Sequence, residues 1–368
     1  MPSLRYFGSV KARPSTLPPT VPSISYLEEV DAELRAFVLA RRDIMARLAP
    51  EPVVLIDELS RTLAAGGKRL RPQFCYWGYR AGGGAETTGI ARVGAALELL
   101  HTFAVIHDDV MDRSHLRRGE PTAYRHLAAE KGTPEAQDPF GRSAAILAGD
   151  LAQAFADELF VSSGFPPPRL LEAFRHFNEM RTQAVAGEFL DLLLARRGHA
   201  DETEARRVAS LKSASYTVVG PLLVGASLAG AEPGIVGALE GYGWALGEAF
   251  QLRDDVLGTF GDPAVTGKDR DTDIREGKQT ALVAKARRLA GEDPAGAVFE
   301  RLGRADLMAD EIEGIRLAIR ESGAVAETVA LIDSLAARAV AALEDAPIAP
   351  EVASALRSLA DLVALRNA

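Results

Sequence analysis

From about residue 25 onward, apolar residues recur every third or fourth position and almost never every second. That spacing winds one apolar stripe along an α-helix. A chain that repeats it with only short breaks must bury helix against helix. Leu27, Val30, Leu34, Phe37, Val38, Ile44 and Leu48 carry the pattern over 25–49, and a second run covers 51–65. A long apolar helix is predicted over 88–107, further helices from Ser143 and over 169–195 and 201–230, and amphipathic helices over 281–368. Loops are expected at 66–72, 123–141 and VSSGFPPP (161–168), where glycine, proline and polar residues collect. No strand pattern stands out, so the fold class expected is all-α, a helical bundle. No shift in composition divides the chain, and 25–368 is read as one domain. Pro2, Pro14, Pro18, Pro19 and Pro22 make residues 1–24 a disordered tail in this reading.

Composition narrows the function. A formal net charge of −9 argues against general nucleic-acid binding. The single cysteine, Cys75, can form no intrachain disulfide and no cysteine metal cluster, which suits a reducing cytoplasm. No export signal follows the basic residues Arg5, Lys11 and Arg13. The apolar stretch 216–230 is short for a bilayer and holds Pro221, so it is read as a buried, kinked helix rather than a transmembrane segment.

The chemistry concentrates in HTFAVIHDDVMDRSHLRRGEPT (101–122). Asp108, Asp109 and Asp112 form DDxxD at the end of an apolar helix. Asp108 and Asp112 are i and i+4, one turn apart on one face, where like charges repel unless a cation joins them. An all-oxygen carboxylate pair suits Mg²⁺. Arg117 and Arg118 follow at once and supply donors for phosphate oxygens. A solvated acidic helix end is the plain alternative. His101 lies two turns before Asp108 on the same face.

Other charged groups are scattered along the chain. GGKRLRP (66–72) sets Lys68, Arg69 and Arg71 beside glycines at a helix start, a plausible anion site, though it is not a Walker loop. GEFLDL (187–192) places Glu188 and Asp191 on one helical face. Lys212 sits among small residues, where a lysine needs a partner for its head group. A second acidic helix end, FQLRDDVLG, carries Gln251, Asp254 and Asp255, but Gly258 stands where an i+4 acid would be, so this site is poorer in carboxylate than the first. The polar loop 267–280 adds Lys268, Asp273 and Lys278.

Two acid-ended helices in an all-α chain can face each other across a cavity, hold several Mg²⁺ ions between them and bridge a diphosphate. A glycosidase-like acid/base pair would need single carboxyl groups rather than doublets. A di-iron bundle would need Glu-x-x-His, which this chain lacks.

GGKRLRP, the DDxxD stretch with RRGEPT, AGD, GEFLDL, LKSASYT, FQLRDDVLG and GK…EGKQT occur in one order, and together they resemble the trans-isoprenyl diphosphate synthase (polyprenyl synthetase) family over roughly 30–350. The resemblance implies an all-α domain around a central cavity, usually a homodimer. It implies Mg²⁺, three ions per site, held by Asp108 and Asp112 with Asp109 close behind, and by Asp254 opposite. It implies that Arg117, Lys212, Gln251, Lys268 and Lys278 contact the allylic diphosphate or its metals, with Ser213 keeping a hydroxyl beside Lys212. Lys68, Arg71, His101 and Arg118 resemble the isopentenyl diphosphate site. The implied reaction is head-to-tail prenyl transfer.

Three positions depart from the family pattern: Gly258 removes an acid, Glu188 replaces a common glutamine and Ser213 a frequent threonine. Phe103 lies five residues before Asp108 and Ala104 four. At about 1.5 Å per residue the Phe103 ring is ~7–8 Å deeper along the helix. An aromatic there resembles enzymes making geranylgeranyl diphosphate (C20), with farnesyl diphosphate (C15) the alternative; plain core packing would also explain it. A class I terpene cyclase would not use GGKRLRP, and a non-catalytic subunit of a heteromeric synthase would tend to lose the acids and arginines kept here.

Overall fold

The computed structural model describes residues 24–85, 88–129, 139–261, 270–291, 294–304 and 306–364. The helices are α1 (Ile24–Leu48), α2 (Val53–Ala64), α3 (Leu70–Ala81), α4 (Thr88–Met111), α5 (Ala123–Ala129), α6 (Pro139–Val161), α7 (Pro167–Arg197), α8 (Glu202–Val208), α9 (Gly220–Ala229) and α10 (Pro233–Phe260). Shorter helices follow, including Thr272–Glu276 and Ala281–Ala290, and then Ala309–Glu321, Ala324–Ala341 and Pro350–Ala364. The all-α expectation holds. The disordered-tail expectation for 1–24 falls on residues outside the description except Ile24, which opens α1.

Helix α4 runs through the centre. Ile90, Ala91, Val93, Ala95, Ala96, Leu97, Leu99 and Leu100 are all buried, because its apolar residues are not confined to one stripe. By length and composition α4 could cross a membrane, yet 67% of its apolar window is buried inside the molecule, and it is a core helix. The main core joins α1, α3, α4, α7, α9 and α10 to the helices Ala324–Ala341 and Pro350–Ala364. A smaller core around Ala123, Leu127, Ala145 and Ala148 seats α5 and α6 on α4. A third, around Ile274, Leu282, Phe299 and Ile315, supports the end of α10. Cys75 is free and buried.

Three local expectations are corrected. The loop expected over 123–141 contains α5, whose residues Ala123, Leu127 and Ala128 are buried on one side. A two-residue antiparallel pair, β1 (Leu116–Arg117) with β2 (Glu120–Pro121), follows the first acidic motif; it is too short for an alternating pattern to register in sequence. The helix expected over 201–230 runs without a break through α8 and α9, but its middle, Ala209–Val219, is π-helical, and Pro221 follows that segment in the first turn of α9.

The π-helical segment owes its position to two glycines. A Cβ on Gly187 of α7 would collide with the backbone of Lys212, and one on Gly247 of α10 with Ala214. Glycine at both places lets the segment lie close between α7 and α10, so that Lys212 meets the acids of α7. In an i to i+5 helix, residues four and five apart share a face, so Tyr216 and Thr217 lie one turn from Lys212 on the same side.

Candidate diphosphate and metal site

Asp108 and Asp112 end α4 on one face, and Glu188 faces them from α7; their ligand oxygens all lie within 4.8 Å of one another. Lys212 stands among the acids, with Nζ 3.3 Å from Asp108 Oδ1, 2.8 Å from Glu188 Oε2 and 2.9 Å from Asp191 Oδ2. Burial works against the lysine charge, but Asp108, Asp191 and Glu188 outweigh it and hold the Lys212 pKa well above its ordinary value. Burial likewise opposes ionisation of Asp108, yet Lys212, Lys278 and Arg117 keep that carboxyl below the usual range. Lys278 Nζ reaches Asp112 Oδ2 at 2.9 Å and Glu276 Oε2 at 2.9 Å.

The members of each aspartate doublet differ in environment. Asp109 is buried and accepts from Arg117 Nε at 2.8 Å; burial pushes its carboxyl up to about 6 despite the guanidinium. Arg117 also donates to Asp108 Oδ2 at 3.1 Å, so Asp109 orients the arginine that Asp108 shares. In the second doublet Asp255 is buried, while Asp254 is only partly so. Burial pushes Asp255 up to about 8, against the Gln251 amide that donates to it at 2.7 Å. The Ser213 hydroxyl donates to Gln251 Oε1, which links the π-helical segment to α10. Lys268 lies outside the described residues.

The GGKRLRP cations separate into two kinds. Arg69, in a left-handed backbone conformation (φ 48°), is tied to Glu98 at 2.6 Å and Asp31 at 3.0 Å and holds the loop. Arg71 lies over the Tyr216 ring, 4.3 Å from its centroid, and donates to Thr217 Oγ1 at 3.0 Å. His101 Nδ1 is 3.3 Å from the Tyr216 hydroxyl. Burial and the surrounding Arg71, Arg117 and Arg118 push the His101 imidazole well below its ordinary pKa, so it is neutral at pH 7. Arg118 donates to Ala65 O at 3.3 Å and lies against Gly67, beside Lys68. A second cluster of cationic and polar donors thus gathers around Tyr216 and the 66–71 loop, with His101 joining it from α4 two turns before Asp108.

Tyr216 and Thr217 escape sequence reasoning because their role depends on the π-helical register. Asp150 of AGD is exposed and 3.7 Å from His107. His107 donates to Ile146 O at 3.0 Å and fills the space over Gly149, so it joins α4 to α6. The Phe103 ring is half-buried and packs edge-on against His107, centroids 4.7 Å apart, with Ala104 beside it.

The donor set suits a hard divalent cation. The carboxylate oxygens converge, and Glu188 Oε1 is buried with no hydrogen-bond partner among the described residues, an orphan that a bound ion would satisfy.

Comparison with known proteins agrees with this geometry. The family pattern described as polyprenyl synthetase matches residues 53–315. A geranylgeranyl diphosphate synthase of Sulfolobus acidocaldarius is 36% identical over 255 residues, covering 67% of this chain and 71% of its own. A geranylfarnesyl diphosphate synthase of Aeropyrum pernix is 36% identical over 233 residues, 62% of this chain and 69% of its own. The solved geranylgeranyl pyrophosphate synthase of Corynebacterium glutamicum, complexed with isoprenyl diphosphate and magnesium, superposes with a TM-score of 0.87 at 35% identity, covering 93% of this chain and 99% of that one.

Proposed function

The chain belongs to the polyprenyl synthetase family, and on that premise we propose that it is a Mg²⁺-dependent prenyltransferase condensing isopentenyl diphosphate head-to-tail with an allylic diphosphate to a short-chain product, geranylgeranyl diphosphate (C20). The observation that carries the reading is the pair of cation clusters flanking the end of α4, one in which Lys212, Lys278 and Arg117 are interleaved with carboxylates and one in which Arg71 and His101 are held by Tyr216 and Thr217. A metal-bridged diphosphate needs the first, and a diphosphate bound by the protein alone needs the second.

Asp108, Asp112 and Asp254 would hold Mg²⁺, three ions per site, with Glu188 in reach of the first pair. When bound, Mg²⁺ supplies charge neutralisation of the departing diphosphate. Arg117 and Lys212 are positive and pre-placed by Asp109, Glu188 and Asp191, so they can turn to the allylic diphosphate oxygens without a search through rotamers. Gln251, Lys278 and, outside the described residues, Lys268 complete that group. Arg71, Lys68, Arg118 and neutral His101 take the isopentenyl diphosphate, with Arg71 kept flat by Tyr216. Phe103 and Ala104 line the way for the growing tail, where an apolar wall keeps water from the allylic cation. The proton released after coupling goes to the departing diphosphate.

The exposed apolar residues of α6 and α7, among them Leu147, Val185, Phe189 and Leu193, support a homodimer in which a second copy covers them. The buried, unpaired Cys75 suits the cytoplasm.

Purified protein with Mg²⁺, isopentenyl diphosphate and dimethylallyl, geranyl or farnesyl diphosphate in turn should yield a C20 prenyl product, and chelation should stop the reaction. No elongation from any starter would overturn the reading. A monomer mass by light scattering on the same preparation would remove the homodimer.

A further inference from the structure

We infer that Glu58 of α2 is a positioning residue for substrate binding: it fixes the hairpin that carries Arg117 and Arg118 by aiming Arg61 at that hairpin and by holding His126 of α5 behind it. The inference rests on the function proposed above, in which those two arginines meet the two diphosphates.

The hairpin needs a hold from outside. Strands β1 and β2 have two residues each and are joined by Arg118 and Gly119, both at positive φ (55° and 81°). Such a turn suits the twist of a strand pair, but a two-stranded ribbon this short is not stable by itself. Arginine at positive φ is disfavoured as well, because its Cβ crowds the backbone, so the surroundings must fix the conformation. Part of the hold is internal. The Thr122 hydroxyl donates to Ser114 O at 2.8 Å and the Thr122 amide to His115 O at 3.2 Å, which closes the base. The rest comes from α2. Arg61 Nη2 donates to Pro121 O at 3.0 Å, and one turn further along Ala65 O accepts from Arg118 Nη1 at 3.3 Å. Pro121 stands opposite Leu116 in the strand pair, next to Arg117.

Glu58 decides where Arg61 points. Its side chain is fully buried, and a carboxylate in that position needs donors on both oxygens. Arg61 supplies a forked pair, Nε to Oε2 at 3.0 Å and Nη2 to Oε1 at 2.6 Å. The same Nη2 reaches on to Pro121 O. His126 Nδ1 lies 2.7 Å from Glu58 Oε2, and α5 starts where the hairpin ends, with the His126 amide donating to Thr122 O at 3.0 Å. One carboxylate thus grips the return strand and the helix that follows it. Arg117 has two further anchors in Asp108 and Asp109, so loosening the hairpin falls mainly on Arg118, which the proposed function sets at the isopentenyl diphosphate.

The test uses the full chain and two readouts. Glu58→Gln keeps the shape and removes the charge. Amides of 114–122 should then exchange with deuterium about tenfold faster than in the parent, as the loss of one charge-assisted hydrogen bond implies. In steady-state kinetics with the allylic diphosphate that the parent elongates best, the KM for isopentenyl diphosphate should rise about tenfold and the allylic KM by less than about threefold. In an Arg118→Met background the same substitution should change the isopentenyl diphosphate KM by less than about twofold, because two changes acting through one contact do not add. Should Glu58→Gln not fold, Arg61→Met faces the same criteria, since Arg61 is partly exposed and its loss leaves Glu58 with His126. Unchanged exchange over 114–122 would overturn the inference. So would an equal rise in both KM values, or full additivity with Arg118→Met. Faster exchange in the variants of a parent that forms no prenyl product would sink the proposed function and leave Glu58 as the anchor of the hairpin.

Discussion

Asp108→Asn should reduce prenyl transfer by roughly 10³-fold while leaving the fold intact, the loss expected when a group stabilising charge in the transition state is removed. The side chain stays nearly isosteric and loses only its charge. Its neighbours remain compensated: Lys212 keeps Glu188 at 2.8 Å and Asp191 at 2.9 Å, and Arg117 keeps Asp109 at 2.7 Å. Unfolding temperature in the absence of metal should therefore move by only a few degrees, by roughly the 1 kcal/mol typical of a hydrogen bond. The Mg²⁺ requirement should rise with the loss of turnover. Steady-state kinetics at saturating Mg²⁺ checks the prediction, and turnover within about tenfold of the parent would take Asp108 out of the metal-binding set.

The second large effect is qualitative. Phe103→Ala should shift the main product from C20 to longer chains. The ring is ~7–8 Å below Asp108 along α4, the direction in which a prenyl tail bound at the diphosphate site would extend. It is braced by His107, whose own position is fixed by Ile146 O and Gly149 of α6, so it cannot swing aside without disturbing the α4–α6 contact. Removing a half-buried ring should also cost about 2 kcal/mol of stability, less than the loss at a fully buried site. Mass spectrometry of the dephosphorylated products is the readout. An unchanged length distribution would mean that other walls limit the tail and that Phe103 only packs the core.

The architecture was largely legible in the sequence because helix formation and stripe burial are local. Spacing of three and four along α1, α2, α4 and α10 is enough to define each helix, and a chain of such helices has few ways to bury them other than against each other. The chemical class was legible for a related reason. Doubled aspartates at helix ends and cations beside glycines are residue types that serve few purposes together, and their order along the chain is specific.

Tertiary structure alone decided how these residues are buried and partnered. Nothing local distinguishes Asp108 from Asp109 or Asp254 from Asp255; the burial of one member of each doublet follows from the helices packed against it. Nothing local assigns Arg69 to Glu98 and Arg71 to Tyr216, since those partners come from α4 and the π-helical segment. That segment itself depends on Gly187 and Gly247, on two other helices, admitting its backbone. The second acidic motif makes the point most directly. Read as a linear motif, DDVLG is an acid short at Gly258; only the folded chain brings the Asp273 carboxylate, from another helix, against that glycine, because the sequence records distance along the chain and not distance in space.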